Sequence, residues 1–303
     1  VLTREAGFYF YFSRKIRELR ESGHEGTARA YASSLRSMQR YLGKKDFPFI
    51  KLSSRIISDY QGKLLASGIC DNTIGFYLHN IKALFRKGCR EMGLELPCPF
   101  RDISIKTEKT LKRSLDPVVI KTLSAIELEK DSPLSLARDI FMFSFYTRGM
   151  SFVDIALLKK RHVFPGEICY RRHKTDQLMR VGINKEISRI LERYKNVPGE
   201  YIFPLFPAER DPYAGYRSAY HRIRYSLGKI SRVIGLEFPL RLHAARHSWA
   251  TIAKVNGASV HVIGECLGHT SEKTTRIYLK ELDHSALDAV NNQVADFILA
   301  VDD

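Results

Sequence analysis

The stretch LELPCPFRDISIKTEKTLKRSL, residues 94–115, constrains the fold more than any other part of the chain. It carries two prolines, is rich in lysine and keeps no steady apolar period, whereas the sequence on both sides does. Proline cannot continue a helix interior, and such a composition suits a connection rather than a packed element. With 303 residues the chain has room for about two domains of ~100–200 residues each. We therefore expect a helical domain over 1–103, a linker over 104–113 and a second domain over 114–303.

Ahead of the break, TARAYASSLRSMQRYL sets Tyr31, Leu35, Met38 and Leu42 at steps of three and four, the stripe of an amphipathic helix. Arg29, Arg36 and Arg40 fall largely off that stripe. DNTIGFYLHNIKALFRKGCREMG repeats the plan, with Ile74, Leu78, Ile81, Leu84 and Phe85 as the stripe and Lys82, Arg86, Lys87 and Arg90 beside it. Asp71 or Asn72 is expected to cap its start and Gly93 its end. One basic helix face is ordinarily plain solvated surface; two in one small domain point to phosphate contacts.

Beyond the break, DPVVIKTLSAIEL reads as a helix with an aspartate cap and a first-turn proline. PLSLARDIFMFSFYTRGMS is apolar nearly all round and is expected at the centre of the core. In GEICYRRHKTDQLMRVGI, residues 166–183, Ile168 and Tyr170, then Met179, Val181 and Ile183, alternate as two short strands around a polar turn, a β-hairpin. Helices resume at NKEISRILERY, DPYAGYRSAYHRIRYSLGKISRVIG and RLHAARHSWATIAKVNG. The second domain is thus mainly helical with a small sheet.

Lys and Arg outnumber Asp and Glu 49 to 33, for a net charge of +16 and a pI near 9.6. Such an excess suggests a polyanionic partner, nucleic acid first. No run approaches the ~18 apolar residues of a membrane span, so no membrane is expected as partner. Five scattered cysteines without CxxC spacing argue against a zinc site or a disulfide framework and suit a reducing cytoplasm. Neither a P-loop nor a GxGxxG occurs, so no nucleotide is expected as cofactor or energy source. The chain opens on Val1 rather than methionine, which leads us to expect further sequence upstream.

HAARH puts His243, Arg246 and His247 on one helix. Two histidines four apart can chelate zinc, but the metalloprotease version needs a glutamate where Ala244 stands, so no metal is expected. Further on, LGHTSEKTTRIY carries His269 and, nine positions later, Tyr278. Taken singly, each is ordinarily a core residue. Together with Arg246 they make a set with chemical sense. A phenol with a reference pKa of ~10 attacks only if a base takes its proton. The non-bridging oxygens of an attacked phosphodiester are stabilised by guanidinium and imidazole donors.

The order HxxR, then LGH, then Tyr nine positions on resembles the tyrosine recombinase (phage integrase) family, with mobile-element and conjugative-transposon integrases as the nearest flavour. The resemblance runs through ARHSWATIAKVNGASVHVIGECLGHTSEKTTRIY and, more loosely, through the whole chain. It implies a mainly α fold: a helical SAM-like core-binding domain, then an α+β catalytic domain, the two gripping duplex DNA as a clamp. It implies a site-specific recombinase that cleaves and rejoins strands through a 3′-phosphotyrosine, needing neither metal nor cofactor. Tyr278 would be the nucleophile, Lys174 of the hairpin turn the acid for the departing 5′-oxygen, Arg246 the clamp on the phosphate, His243 the acid–base partner of Tyr278, and His269 a phosphate ligand. Implied partners are double-stranded DNA at recombination sites, three further copies of the chain in a tetramer, and a DNA-bending host factor, in a bacterial cytoplasm at the nucleoid. SALDAVNNQVADFILAV spaces Leu287, Val290, Val294, Phe297, Ile298 and Val301 as a helical stripe. In the family a segment there docks on the neighbouring protomer; packing on its own domain is the equal alternative.

One position departs from the pattern. The family carries a catalytic arginine three residues before a glutamate. In TRGMSFVDIALL, aligning Asp154 with that glutamate leaves Ser151 where the arginine belongs. Arg148 lies three residues upstream and, on a continuing helix, would share its face; Arg172 is the other candidate. Two further readings remain: a type IB topoisomerase-like relaxing enzyme, and a DNA-binding accessory protein whose site has decayed.

Overall fold

The structure is a computed structural model that describes residues 6–105, 108, 114–206, 212–269, 271–279, 292 and 294; of 212–214, 272, 273, 277 and 278 it describes the backbone alone. The chain divides into two compact units, Val1–Thr110 and Leu111–Asp303.

The first unit is built of α1 (Phe8–Glu21), α2 (Glu25–Leu42), α3 (Ser54–Ala66) and α4 (Asp71–Met92). The apolar stripes face inward as their spacing requires: Met38, Leu78, Ile81 and Leu84 are fully buried, with Phe8, Phe12, Phe49 and Tyr60. Gly93 ends α4 in the left-handed region, φ 61°, where an L side chain is strained. The expected polar cap at the other end is not formed. Cys70 is the N-cap and its side chain caps no backbone N–H, lying instead 3.2 Å from Thr73 Oγ1, and Asp71 lies inside the first turn. The Asn72 amide is instead engaged with Glu108, donating to its carbonyl (2.9 Å) and accepting from its N–H (3.0 Å). The described residues of the aperiodic stretch after α4 form no helix, yet residues 94–105 are packed. Phe100 is buried, and Leu94, Leu96, Ile103 and Ile105 lie against the same core.

The second unit runs α5 (Pro117–Ala125), α6 (Pro133–Tyr146), α7 (Phe152–Ala156), β1 (Val163–Phe164), β2 (Glu167–Arg171), β3 (Leu178–Gly182), α8 (Lys185–Arg193), α9 (Pro212–Val233), α10 (Leu242–Val255), α11 (Val260–Leu267) and α12 (Glu272–Leu279). Helix starts follow the local chemistry. Asp116 accepts from Val118 N (2.7 Å) ahead of Pro117, Ser132 from Ser135 N (3.1 Å) ahead of Pro133, and Asn184 from Ile187 N (2.9 Å). Helix α6 is the core, with Ala137, Ile140, Phe141 and Phe143 fully buried and α5, α8, α9 and α10 around it. The hairpin pairs Tyr170 with Met179 and Ile168 with Val181, and all four point inward. A third strand, β1, extends the antiparallel sheet in the order β1-β2-β3; its two residues are too short to show a period. No described helix is long and apolar enough to cross a membrane. Of the C-terminal stripe only Val294, which is exposed, is among the described residues.

Candidate active site

The corner between α6 and α7 is where the structure departs most from the sequence expectation. Helix α6 does not continue to Ser151. It stops at Tyr146, and Arg148 (φ 60°) and Gly149 (φ 77°) both turn left-handed. Arg148 and Ser151 therefore do not share a helix face. Ser151 instead starts α7, and its hydroxyl donates to Asp154 Oδ2 (2.5 Å). Glycine is needed at 149 for a second reason: a Cβ there would lie 2.5 Å from Arg246 Cγ and 2.8 Å from its Cα. That close approach lets α10 press Arg246 against the corner.

Arg246 is 6% exposed, one turn along α10 from His243, which is exposed. Its guanidinium donates to Gly149 O (2.9 Å) and Leu267 O (2.5 Å), the latter a carbonyl left over at the end of α11. The same nitrogen that reaches Leu267 lies 3.1 Å from His269 Nε2. Two carbonyls fix the plane of the group, so its remaining donors are preorganised. The His243 and His247 rings meet edge to face, centroids 4.5 Å apart. Among the described residues no group of three or more His, Cys, Asp or Glu is arranged to hold a metal ion.

Helix α11 ends on Gly268 (φ 62°), whose carbonyl accepts from the Arg172 guanidinium. A Cβ at Gly268 would sit 2.9 Å from Met179 Sδ, so the hairpin lies directly against this turn. His269 follows, half-buried, with Nδ1 2.9 Å from Thr275 Oγ1 on α12. Burial first, then the charges of Arg246, Arg172 and Lys174, push its pKa down to about 4. The imidazole is thus neutral near pH 7. An acceptor Nε2 facing Arg246 and an Nδ1–H donating to Thr275 satisfy both neighbours, a tautomer assigned from the network.

With its folded pKa below the unfolded value of ~6.5, His269 binds its proton more readily in the unfolded chain. Stability is then full above pH ~6.5 and falls as pH drops towards 4. The melting temperature of His269→Gln should lose part of this acid-side decline relative to the wild type. Superimposable pH profiles would contradict the burial of a neutral His269.

Lys174 is exposed in the turn between β2 and β3, and its charge acts on His269. Arg148 sends one guanidinium nitrogen towards Arg180 O at 3.5 Å. The charges of Arg172, Arg246 and Arg148 all act on the buried Tyr170 phenol, offsetting part of the upward push of burial and Asp154. The three guanidiniums thus all contribute positive charge at this buried phenol, while each is bonded to a carbonyl of its own: Arg148 to Arg180 O, Arg172 to Gly268 O, and Arg246 to Gly149 O and Leu267 O. Tyr278 lies on α12; its side chain is outside the described residues. The helix itself is docked, because Thr275 and Leu279 are buried and Leu279 joins Ala250, Ile263 and Leu267 in a small core. Sequence reading missed Thr275, the partner of His269 Nδ1, and the close approach of Gly149 to Arg246.

In the first unit Arg36 and Arg40 on α2 and Arg86, Lys87 and Arg90 on α4 are all exposed. Arg29 is half-buried and paired with Glu25 (2.7 Å), which offsets its charge. Lys82 lies over the Phe100 ring at 6.0 Å. A groove of about 320 Å³ joins Arg36 to Arg17 and Arg20 of α1. Those two went unread, although their three-residue spacing in SRKIRELRE was the available signal.

The fold is that of the core-binding and catalytic domains of tyrosine recombinases. The Tn1549 transposon integrase in complex with transposon right end DNA superposes with a TM-score of 0.69 at 15% identity, covering 96% of this chain and 100% of that one. A lambda integrase tetramer bound to a Holliday junction gives a TM-score of 0.64 at 16% identity, covering 92% and 80%. The phage integrase family matches residues 114–284, and the phage integrase SAM-like domain matches residues 7–100. This chain belongs to the phage integrase family, whose members are tyrosine recombinases that cleave and rejoin DNA strands at specific sites. Among curated relatives, the tyrosine recombinase XerC of Shewanella oneidensis is 26% identical over 226 residues, 71% of this chain and 70% of the relative.

Proposed function

We propose that this chain integrates or excises a mobile element, cleaving and rejoining DNA at specific sites through Tyr278. The observation that carries the reading is the Arg246–His269 pair, 3.1 Å apart, fixed by main-chain carbonyls beside the helix that bears Tyr278. In the proposed reaction His243 takes the phenolic proton as the Tyr278 oxygen attacks phosphorus. Arg246 and His269 hold the non-bridging oxygens, and the P–O5′ bond breaks while Lys174 protonates the leaving oxygen. An arriving phosphate brings negative charge to His269, which raises its pKa and favours the protonated, donating form. The phosphotyrosyl bond conserves the free energy of the phosphodiester, so rejoining needs no nucleotide.

Ser151, short and neutral, cannot clamp the phosphate. We assign that task to Arg148 and Arg172, whose charges converge with that of Arg246 on Tyr170. In this reading residues 1–103 form the core-binding domain and 114–303 the catalytic domain, with 104–113 between them. Arg36, Arg40, Arg86 and Lys87 meet the DNA backbone, with Arg29 and Lys82 in supporting places. A tetramer on two paired sites follows the lambda integrase assembly, with a DNA-bending host factor as accessory, in the cytoplasm at the nucleoid.

The test is a pair of DNA substrates carrying candidate sites. Recombinant products support the proposal; relaxation without them favours a topoisomerase-like enzyme, and binding without cleavage a decayed accessory protein. DNA affinity should also fall steeply with salt, since each neutralised phosphate contributes a slope of about −0.9 in log K against log salt. With ~6 phosphates contacted the slope is expected near about −5; a nearly flat response would refute the basic-face assignment.

A further inference from the structure

Asp154 is 5% exposed, and a buried carboxylate must be matched by donors. One of its donors is Ser151: the hydroxyl gives its hydrogen to Oδ2 at 2.5 Å. The other is a main-chain group nineteen residues away. The N–H of His173 donates to Asp154 Oδ1 at 2.8 Å. His173 lies inside the β2–β3 turn, directly between Arg172 and Lys174. Within the hairpin the turn is held by Arg172 N to Gln177 O (2.8 Å) and Asp176 N to Arg172 O (2.8 Å), both near its base. The bond to Asp154 ties the turn to another element, the short helix α7.

We infer that Asp154 is a positioning residue that sets the reach of Lys174 to the leaving oxygen by holding the turn through the His173 amide. The inference rests on Lys174 being the acid for that oxygen. Lys174 itself is exposed on a flexible stem, so the place of its main chain decides where its ammonium spends its time. A turn pinned at residue 173 fixes that place within one peptide unit. Ser151 completes the device by occupying the second carboxylate oxygen, which keeps Asp154 from rotating away from His173. The serine at this position thus has a use of its own: it orients the carboxylate that anchors the acid-bearing turn. Misplacement of a catalytic group by about 1 Å can cost ~10²-fold in rate, so loss of the anchor should reach that order.

The readout must separate positioning from folding. A DNA substrate with sulfur in place of the 5′-bridging oxygen has a leaving group that needs no proton. In single-turnover cleavage at saturating DNA, Lys174→Ala should be slow on ordinary DNA and recover on the sulfur substrate. Asp154→Ala should show the same signature, slow by ~10²-fold on ordinary DNA and within a few-fold of wild type on sulfur DNA. Asp154→Asn keeps an oxygen to accept from His173 and should retain most of the rate. Asp154→Ala combined with Lys174→Ala should be no slower than Lys174→Ala alone, since both remove one function. His173→Pro deletes the amide donor at an exposed position whose φ is not positive, and carries the same expectation if Asp154→Ala proves too unstable to assay. If Lys174→Ala recovers on sulfur while Asp154→Ala and His173→Pro stay slow, Asp154 acts elsewhere and the inference is overturned. If Lys174→Ala does not recover either, the assignment of the acid falls, and the inference with it.

Discussion

Arg246→Ala is expected to slow strand cleavage by ~10²–10³-fold, the effect of removing one preorganised charged donor worth roughly 3–4 kcal/mol from a transition state. The geometry explains why no neighbour replaces it. Arg172 already donates to Gly268 O, and Arg148 reaches towards Arg180 O, so neither is held in the plane that Gly149 O and Leu267 O impose on Arg246. The substitution also leaves those two carbonyls without this donor, at ~1–3 kcal/mol for each that stays buried and unpaired. The melting temperature should therefore fall as well, and rates must be compared below the onset of unfolding. Arg246→Lys keeps the charge but not the fork that spans both carbonyls, and should regain little. Near-normal cleavage by Arg246→Ala would remove this residue from the site.

Tyr278→Phe should abolish cleavage altogether. It removes one hydroxyl and leaves the ring, so helix α12 keeps its docking through Thr275 and Leu279. DNA affinity and melting temperature are expected to stay within error of wild type, while product formation falls below detection, because the attacking atom is gone. If Tyr278→Phe still cleaves, another group attacks the phosphate.

Much of this was legible in the sequence because it rests on short-range pattern. The stripes of α2 and α4, the Asp116–Pro117 and Gly93 signals, and the alternation of Ile168, Tyr170, Met179 and Val181 are local, and the structure obeys them. What could not be read depends on residues far apart in the chain. The capping at Cys70 differs from expectation because Asn72 is drawn to Glu108, thirty-six residues on. The helix expected to run from Arg148 to Ser151 breaks because Gly149 must admit Arg246, ninety-seven residues away. His269 reads in sequence as a phosphate ligand; its neutral state follows from burial and three cations that the fold assembles. The link from Asp154 to His173 is of the same kind, since nothing in VDIALL or RRHKTDQ announces it.

The central claim is that Tyr278 forms a covalent bond to DNA, and the most direct measurement is to trap that bond and locate it. A suicide substrate, nicked close to the scissile phosphate so that the short strand diffuses away after cleavage, should leave a protein–DNA adduct stable to denaturation. Digestion of the adduct and mass spectrometry of the nucleotide-bearing peptide should place a 3′-phosphate on Tyr278, with a free 5′-hydroxyl on the released strand. Attachment at any other residue, or cleavage that leaves no adduct, would contradict the account.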